Sequence, residues 1–250
     1  MNTAIFRFYA ELNDFLPSAM RHKAFEHPFR GTPAVKDTIE SLNVPHTEVD
    51  LILINGVPAA FSARLSDGDR VSVYPVFEAL DIGPLVRLRP HPLRETRFLL
   101  DVHLGRLARS LRLLGFDSDY GNNYEDDELS DRATHEGRIL LTRDRGLLKR
   151  SAIERGYCVR QTRPREQVLE ILARFDLVGS INPFSRCMAC NAVLRLVSKS
   201  EVRESVPAHV RDLHDDFTRC EGCGRVYWRG SHYDRLKLFV DSIEAQALLT

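Results

Sequence analysis

The sequence predicts an α/β protein whose core is a parallel sheet flanked by helices. A small α+β module precedes it and a cysteine-paired module follows. Three observations carry this prediction. Between residues 97 and 180, short apolar runs alternate with amphipathic helical patterns, as in strands joined by crossover helices. Residues 1–81 instead read strand, helix, then short strands with tight turns. Residues 181–250 hold two Cys-x-x-Cys pairs.

In the first module, "AIFRFYAEL" alternates as a strand. "TPAVKDTIESLNV" predicts a helix capped by Thr32, with Pro33 at its first position and Val35, Ile39 and Leu42 on one face. "VDLILING" predicts a buried strand closed by a turn at Asn55-Gly56, and "LSDGDRVSVYP" a last turn and strand. Residues 82–96 are rich in Pro and Arg and read as a linker.

The central segment opens with the strand "RFLLD" and the helix "HLGRLARSLRLLG". There Leu104, Leu107, Ala108, Leu111 and Leu114 form one stripe and Gly115 ends the helix. The strand "FDSDY", the acid-led helix "EDDELSDRATHEG" and the strand "RILLT" follow. "RGLLKRSAIERG" predicts a third helix, "YCVRQ" a fourth strand, and "TRPREQVLEILARF" a helix capped by Thr162 with Pro164 in its first turn. The chain closes in a helix over "LKLFVDSIEAQALL".

Apolar residues make up 43% and charged residues 28%, as in ordinary globular proteins. No apolar run is long enough to span a bilayer. The opening "MNTAIFRFYAEL" lacks the basic stretch and long apolar core of a secretory signal. The expected compartment is the cytoplasm, with no membrane partner. The formal net charge is zero, yet Arg87, Arg89, Arg94, Arg97, Arg106, Arg109 and Arg112 crowd one stretch against only Glu95 and Asp101. Such a local basic region suits contact with a polyanion on one face, and equally a solvated linker and helix face.

Four cysteines, Cys187, Cys190, Cys220 and Cys223, have metal-ligand spacing, while Cys158 stands alone. Each pair can form a turn presenting two thiolates, and two turns complete a tetrahedral Zn²⁺ site. Asn191 and Gly224 follow the pairs and tolerate the left-handed backbone such turns need. A four-thiolate set leaves no position for water, so the expected role is structural, a zinc ribbon.

The acidic residues point to a second metal. In an open parallel sheet, ligands bind beyond the carboxyl ends of the strands. Asp101 follows the first strand, Asp119 ends the second, Asp144 lies just past the third, and Asp126, Asp127 and Glu128 open a helix that starts at that edge. Gathered carboxylates repel one another unless a cation joins them, which suits Mg²⁺ or Mn²⁺. Each acid has another use: Asp101 and Asp144 are suited to cap the following helices, and Asp126 and Asp127 to favour a helix N-terminus. Arg106, Arg109 and Arg112 are expected off the Leu stripe and facing out, and Arg143 and Arg145 flank Asp144. These five suit a nucleic-acid backbone. The chain has no Gly-x-x-x-x-Gly-Lys-Ser/Thr loop, no Gly-x-Gly-x-x-Gly and no Gly-x-Ser-x-Gly, and His103 stands where a phosphatase would keep a second aspartate.

Two resemblances follow from these stretches. The opening strand with "LILING" and "LSDGDRVSVYP" resembles the β-grasp, ubiquitin-like fold of small sulfur carriers. The terminal Gly-Gly of a carrier is missing, so the module is expected to bind a partner or pack on its neighbour. "FLLDVHLGRLARSLRLLGFDSDY", "DDELSDRATHEGRILLTRDRGLL" and "CEGCGRVYWRGSHYDRL" resemble the Mut-seven C-terminal RNase family, a PIN-like nuclease domain with a C-terminal zinc ribbon. That resemblance implies a metal-dependent ribonuclease acting on RNA, whose acids match Asp101, Asp126 and Asp144, with Asp119, Asp127 and Glu128 in reserve. Arg145 and Gly146 stand where many PIN-like proteins keep another acid, a place Asp119 is suited to fill. The implied layout is a β-grasp module at 1–81, a linker at 82–96, a PIN-like domain at 97–180 and a zinc ribbon with a C-terminal helix at 181–250. A non-catalytic RNA- or ribosome-binding protein, or an interaction protein built on the β-grasp module, is the alternative.

Overall fold

The computed structural model describes residues 1–75 and 96–248. The linker expected at 82–96 lies outside them except for Thr96, as do Arg87, Arg89 and Arg94. Along the chain run β1 (Asn2–Phe8), β2 (Phe25–Phe29), α1 (Val35–Ser41), β3 (Val49–Ile54), β4 (Val57–Pro58), β5 (Arg70–Pro75), β6 (Phe98–Leu100), α2 (Gly105–Leu113) and β7 (Ser118–Tyr120). Then come α3 (Asp126–Glu136), β8 (Ile139–Thr142), β9 (Gly156–Cys158), α4 (Pro164–Arg174), β10 (Leu194–Val197), α5 (Ala208–Leu213), β11 (Phe217–Cys220), β12 (Val226–Trp228) and α6 (Ser231–Ala247). Among the described residues two compact units form: 1–75 with 125–158, and 96–124 with 159–248.

In the first unit, a five-stranded sheet has the order β2-β1-β5-β3-β4, with β1 and β5 parallel. Alternation along β1 sends Ala4, Phe6 and Phe8 inward, where Val35 and Ile39 of α1 are also buried. The turn at Asn55 and Gly56 has both residues at positive φ, as the primed hairpin turn between β3 and β4 requires. The helix α1 begins later than expected. Neither Thr32 nor Pro33 is in it, because Ala34 pairs with Arg64 in a β-bridge and the Val35 amide bonds the Ala63 carbonyl.

Residues 125–158 of the same unit hold α3, which ends at Gly137 with φ 61° as predicted, and the parallel pair β8 and β9. The third helix expected over 145–156 does not form, and only Leu147–Lys149 make one 3₁₀ turn. Groups from the N-terminal module pin this stretch in a non-helical path. His46 Nε2 lies 2.9 Å from the Ile153 carbonyl, the Thr47 hydroxyl donates to the Leu148 carbonyl, and Lys149 Nζ donates to the Glu40 carbonyl and Asn43. The buried Glu48 carboxylate accepts the Cys158 amide at 2.5 Å, extending the edge of β9. His46 is buried, and that burial pushes its pKa down; nearby Lys36 adds to this, and the 2.6 Å bond to Glu40 opposes it.

In the second unit, β6 and β7 pair in parallel, and α2 with its flanking residues buries the predicted stripe of Leu104, Leu107, Ala108, Leu111 and Leu114. The helix α4 starts at Pro164, with Arg163 rather than Thr162 at the cap position and no side-chain capping bond. Arg165 of α4 grips α6 through Ser242 and Gln246. The strands β10, β11 and β12 form an antiparallel sheet over a small core of Val197, Val202, Val206 and Phe217. No helix of the described residues is long and apolar enough to cross a membrane.

Candidate metal centres and nucleic-acid interface

The four cysteines meet. Their sulfurs all lie within 4.8 Å of one another, with Cys187 and Cys223 at 3.7 Å and Cys190 and Cys220 at 3.3 Å. Zinc–sulfur bonds of about 2.3 Å in a tetrahedron place sulfurs roughly 3.8 Å apart, so this set fits Zn²⁺. Both turns close alike: the Asn191 amide bonds the Cys187 carbonyl and the Gly224 amide bonds the Cys220 carbonyl. Asn191 and Gly224 each have φ 72°, the left-handed backbone expected of them. The amides of Gly222 and Cys223 point at Cys220 Sγ. Burial pushes the Cys187 thiol up, but the Tyr227 hydroxyl at 3.0 Å and amides of the turn outweigh it and hold the thiol at about 6. Cys220 is pushed up by its burial.

The cysteine module is stapled to α2 and β7. Arg112 was expected to face out, but it is 4% exposed. Its Nε donates to the Ser118 carbonyl at 2.8 Å, and its Nη1 donates to the Ala189 and Met188 carbonyls at 3.0 and 3.4 Å. Those carbonyls lie inside the first cysteine turn. Arg112 therefore leaves the set of outward arginines, because its guanidinium is occupied between strand and turn. Asn191 adds to the staple by accepting the Ser118 amide and donating to Asp117. Sequence reasoning assigned Asn191 to turn geometry alone, and Arg186, which bonds the Gly115 carbonyl, was missed.

The acids divide between the two units. In the second, Asp101 directly follows β6, while Asp119, expected to end its strand, lies in the middle of the adjacent parallel strand β7. Asp119 pairs with Leu99, so Asp101, two residues further on, shares its face of the pleat. Asp101 is buried and occupies the cap position of the following 3₁₀ turn, yet its side chain makes no capping bond. Asp119 accepts the Tyr120 amide, and the Tyr120 hydroxyl reaches the Val102 carbonyl above Gly105. Of the arginines, Arg106 and Arg109 are exposed on α2.

In the first unit, Asp144 is exposed beyond β8, with its amide bonded to the buried Thr142 hydroxyl. Its Oδ1 accepts the Gly146 and Leu147 amides, so Asp144 does cap the turn that replaces the expected helix. Asp126 and Asp127 open α3 and share Arg150, at 3.3 and 2.5 Å. Glu128 pairs with Arg132 one turn along. Arg143 is exposed, and the Arg145 guanidinium lies 4.9 Å from the Phe15 ring centroid. Chemically, these are hard oxygen donors of the kind that hold Mg²⁺ or Mn²⁺.

A family model described as the Mut7-C RNAse domain matches residues 96–240, and one described as Mut7-C ubiquitin matches residues 1–81. The chain is 37% identical over 106 residues to a Homo sapiens protein named Exonuclease mut-7 homolog. That match covers 40% of this chain and 12% of the relative's length. No solved structure matches the chain.

Proposed function

Because the chain belongs to the Mut7-C RNAse domain family, we propose that it is a nuclease, and specifically a metal-dependent ribonuclease. Asp101, Asp126 and Asp144 are the proposed ligands of Mg²⁺ or Mn²⁺, with Asp119, Asp127 and Glu128 in support. Such an ion, when bound, activates water for attack on the phosphodiester and stabilises the leaving oxygen. The chain's own contribution is to hold the donors. Asp101 follows a fully buried strand, and the Thr142 hydroxyl bonds the backbone that carries Asp144. The exposed Arg106, Arg109, Arg143 and Arg145 would hold the RNA backbone.

The observation that carries the reading is Asp101. It is a carboxylate only 6% exposed, placed directly after the fully buried strand β6, and burying an ionised carboxylate is costly unless a cation or other partner compensates it. Calorimetric titration of the zinc-loaded protein with Mn²⁺ tests it. Asp101→Asn is expected to bind Mn²⁺ at least roughly tenfold more weakly, since it removes one of few ligands. Equal binding by wild type and variant would remove Asp101 from the metal site.

A further inference from the structure

The second unit contains a groove of about 940 Å³ between α2 and the cysteine module. Its lining includes Arg109, Arg186, Arg225 and Arg229 against a single carboxylate, Asp216. Arg186 is occupied by the Gly115 and Asn191 carbonyls, and Arg229 lies 3.6 Å from Asp216. Arg109 and Arg225 are exposed and form no ion pair among the described residues. Arg186 and Arg229 are thus matched by Asp117 and Asp216, while Arg109 and Arg225 leave the wall with net positive charge, which favours an anionic polymer over an apolar helix or a neutral ligand.

Aromatic rings line the same groove. Trp228 is 38% exposed, and Gly230 leaves room beside its indole, where an added Cβ would meet Nε1 at 3.1 Å. Phe184 and Tyr233 lie with ring centroids 4.5 Å apart and planes tilted by 34°. Phe184 holds φ 60°, a left-handed backbone that a bulky residue rarely adopts. Its amide bonds the Leu113 carbonyl at 2.9 Å, so the strained backbone is anchored to the end of α2. Strain of this kind persists where surroundings over-determine it, and it collects at binding sites. Here it delivers a ring to Tyr233 at the groove wall.

The exposed Trp228 and the half-buried Tyr233, beside the exposed Arg109 and Arg225, form a surface for unstacked bases and their phosphates. We propose that this groove is the site that holds single-stranded RNA, with bases stacked on Trp228 and Tyr233 and phosphates held by Arg109 and Arg225. The choice of RNA rests on the ribonuclease reading, but the assignment of the groove is tested without cleavage. A duplex keeps its bases stacked on one another and offers no free faces to these rings, so the groove discriminates by strandedness rather than by sequence.

Trp228 is the chain's single tryptophan, so its fluorescence reports on the groove alone. The full zinc-loaded chain is titrated, without Mg²⁺ or Mn²⁺, with a mixed-sequence RNA of about 12 nucleotides, within the span of one single-strand site. The expected result is Trp228 quenching by the single strand and much less by the same RNA in a duplex. By anisotropy of labelled RNA, Trp228→Ala is expected to bind roughly tenfold more weakly. Arg225→Ala is expected to lower the slope of log affinity against log salt by about 0.7. Both residues are exposed, and unchanged zinc content and melting temperature establish that the variants are folded. Single-stranded RNA that leaves Trp228 unquenched, or that binds both variants as it binds wild type, overturns the proposal. So does an acidic peptide that quenches Trp228 where RNA does not, which gives the groove to a protein. Groove binding intact with no RNA cleaved in Mn²⁺ would instead overturn the ribonuclease reading and leave the groove standing.

Discussion

Replacing Arg112 by methionine tests how the cysteine module is attached. The stem of the side chain is buried, and methionine keeps most of that volume. What is lost is the guanidinium, with bonds of 2.8 Å to the Ser118 carbonyl and 3.0 Å to the Ala189 carbonyl, plus a weak one of 3.4 Å to Met188. Bonds to a charged group contribute about 1.5–3 kcal/mol each, so two good ones give roughly 3–6 kcal/mol. Against this, methionine avoids desolvating a charge, a cost that already pushes the Arg112 pKa down. A net loss of about 2–4 kcal/mol remains. Denaturant unfolding followed by circular dichroism measures it. Zinc release to a chromogenic chelator should also accelerate, because two of the accepting carbonyls lie between Cys187 and Cys190. Arg106→Met on the exposed face of α2 is the control, with an expected change within about 0.5 kcal/mol. Equal stability and equal zinc release in Arg112→Met and Arg106→Met would refute the staple.

Other outcomes follow from the same geometry. Gly115 has φ 97°, and a Cβ there would stand 2.2 Å from the Asn182 carbonyl oxygen, so Gly115→Ala should cost about 2–4 kcal/mol in thermal or denaturant unfolding. His46 has a lowered pKa in the folded chain, so the unfolded chain takes up its proton first. Stability is therefore full above about pH 6.5 and falls as pH drops below it toward the depressed value. His46→Asn should flatten that stretch of the stability profile. Stripping zinc should unfold the module around β10, β11 and β12, whose core is only Val197, Val202, Val206 and Phe217, and near-ultraviolet dichroism should show the loss.

Local chemistry was readable where one residue type meets one backbone need. Asn55-Gly56 turns, Gly115 and Gly137 end helices, and Asn191 and Gly224 close the cysteine turns, all at positive φ. The cysteine cluster and the Leu stripe of α2 were readable because their spacing alone constrains them. The failures are tertiary. Residues 145–156 have helical periodicity, but their Leu148 and Ile153 carbonyls and the Lys149 ammonium are drawn into bonds with Thr47, His46 and Glu40 of the N-terminal module. Arg112 lies off the stripe by helical phase, yet the first cysteine turn covers it, and spacing within α2 carries no trace of a neighbour 76 residues away. The groove lined by Trp228, Tyr233 and Arg109 joins segments far apart in sequence, so no single motif announces it. The acids fall between these cases: the positions of Asp101 and Asp144 just past their strands and the capping use of Asp144 were readable, while the place of Asp119 within β7 and Arg150 as the partner of Asp126 and Asp127 were not.

The central claim is that strand-end carboxylates make this chain a metal-dependent ribonuclease. Its most direct test is cleavage of mixed cellular RNA by the zinc-loaded protein in Mg²⁺ and in Mn²⁺, run beside Asp144→Asn. The introduced asparagine can still cap the turn through its side-chain oxygen, so the variant should keep its fold and melting temperature. The account predicts RNA cleavage by wild type that requires the added metal and falls at least about a hundredfold in the variant, since each 1.36 kcal/mol of lost transition-state stabilisation is tenfold. A folded Asp144→Asn protein that cleaves as fast as wild type, or wild type that leaves RNA intact in both metals, would contradict it.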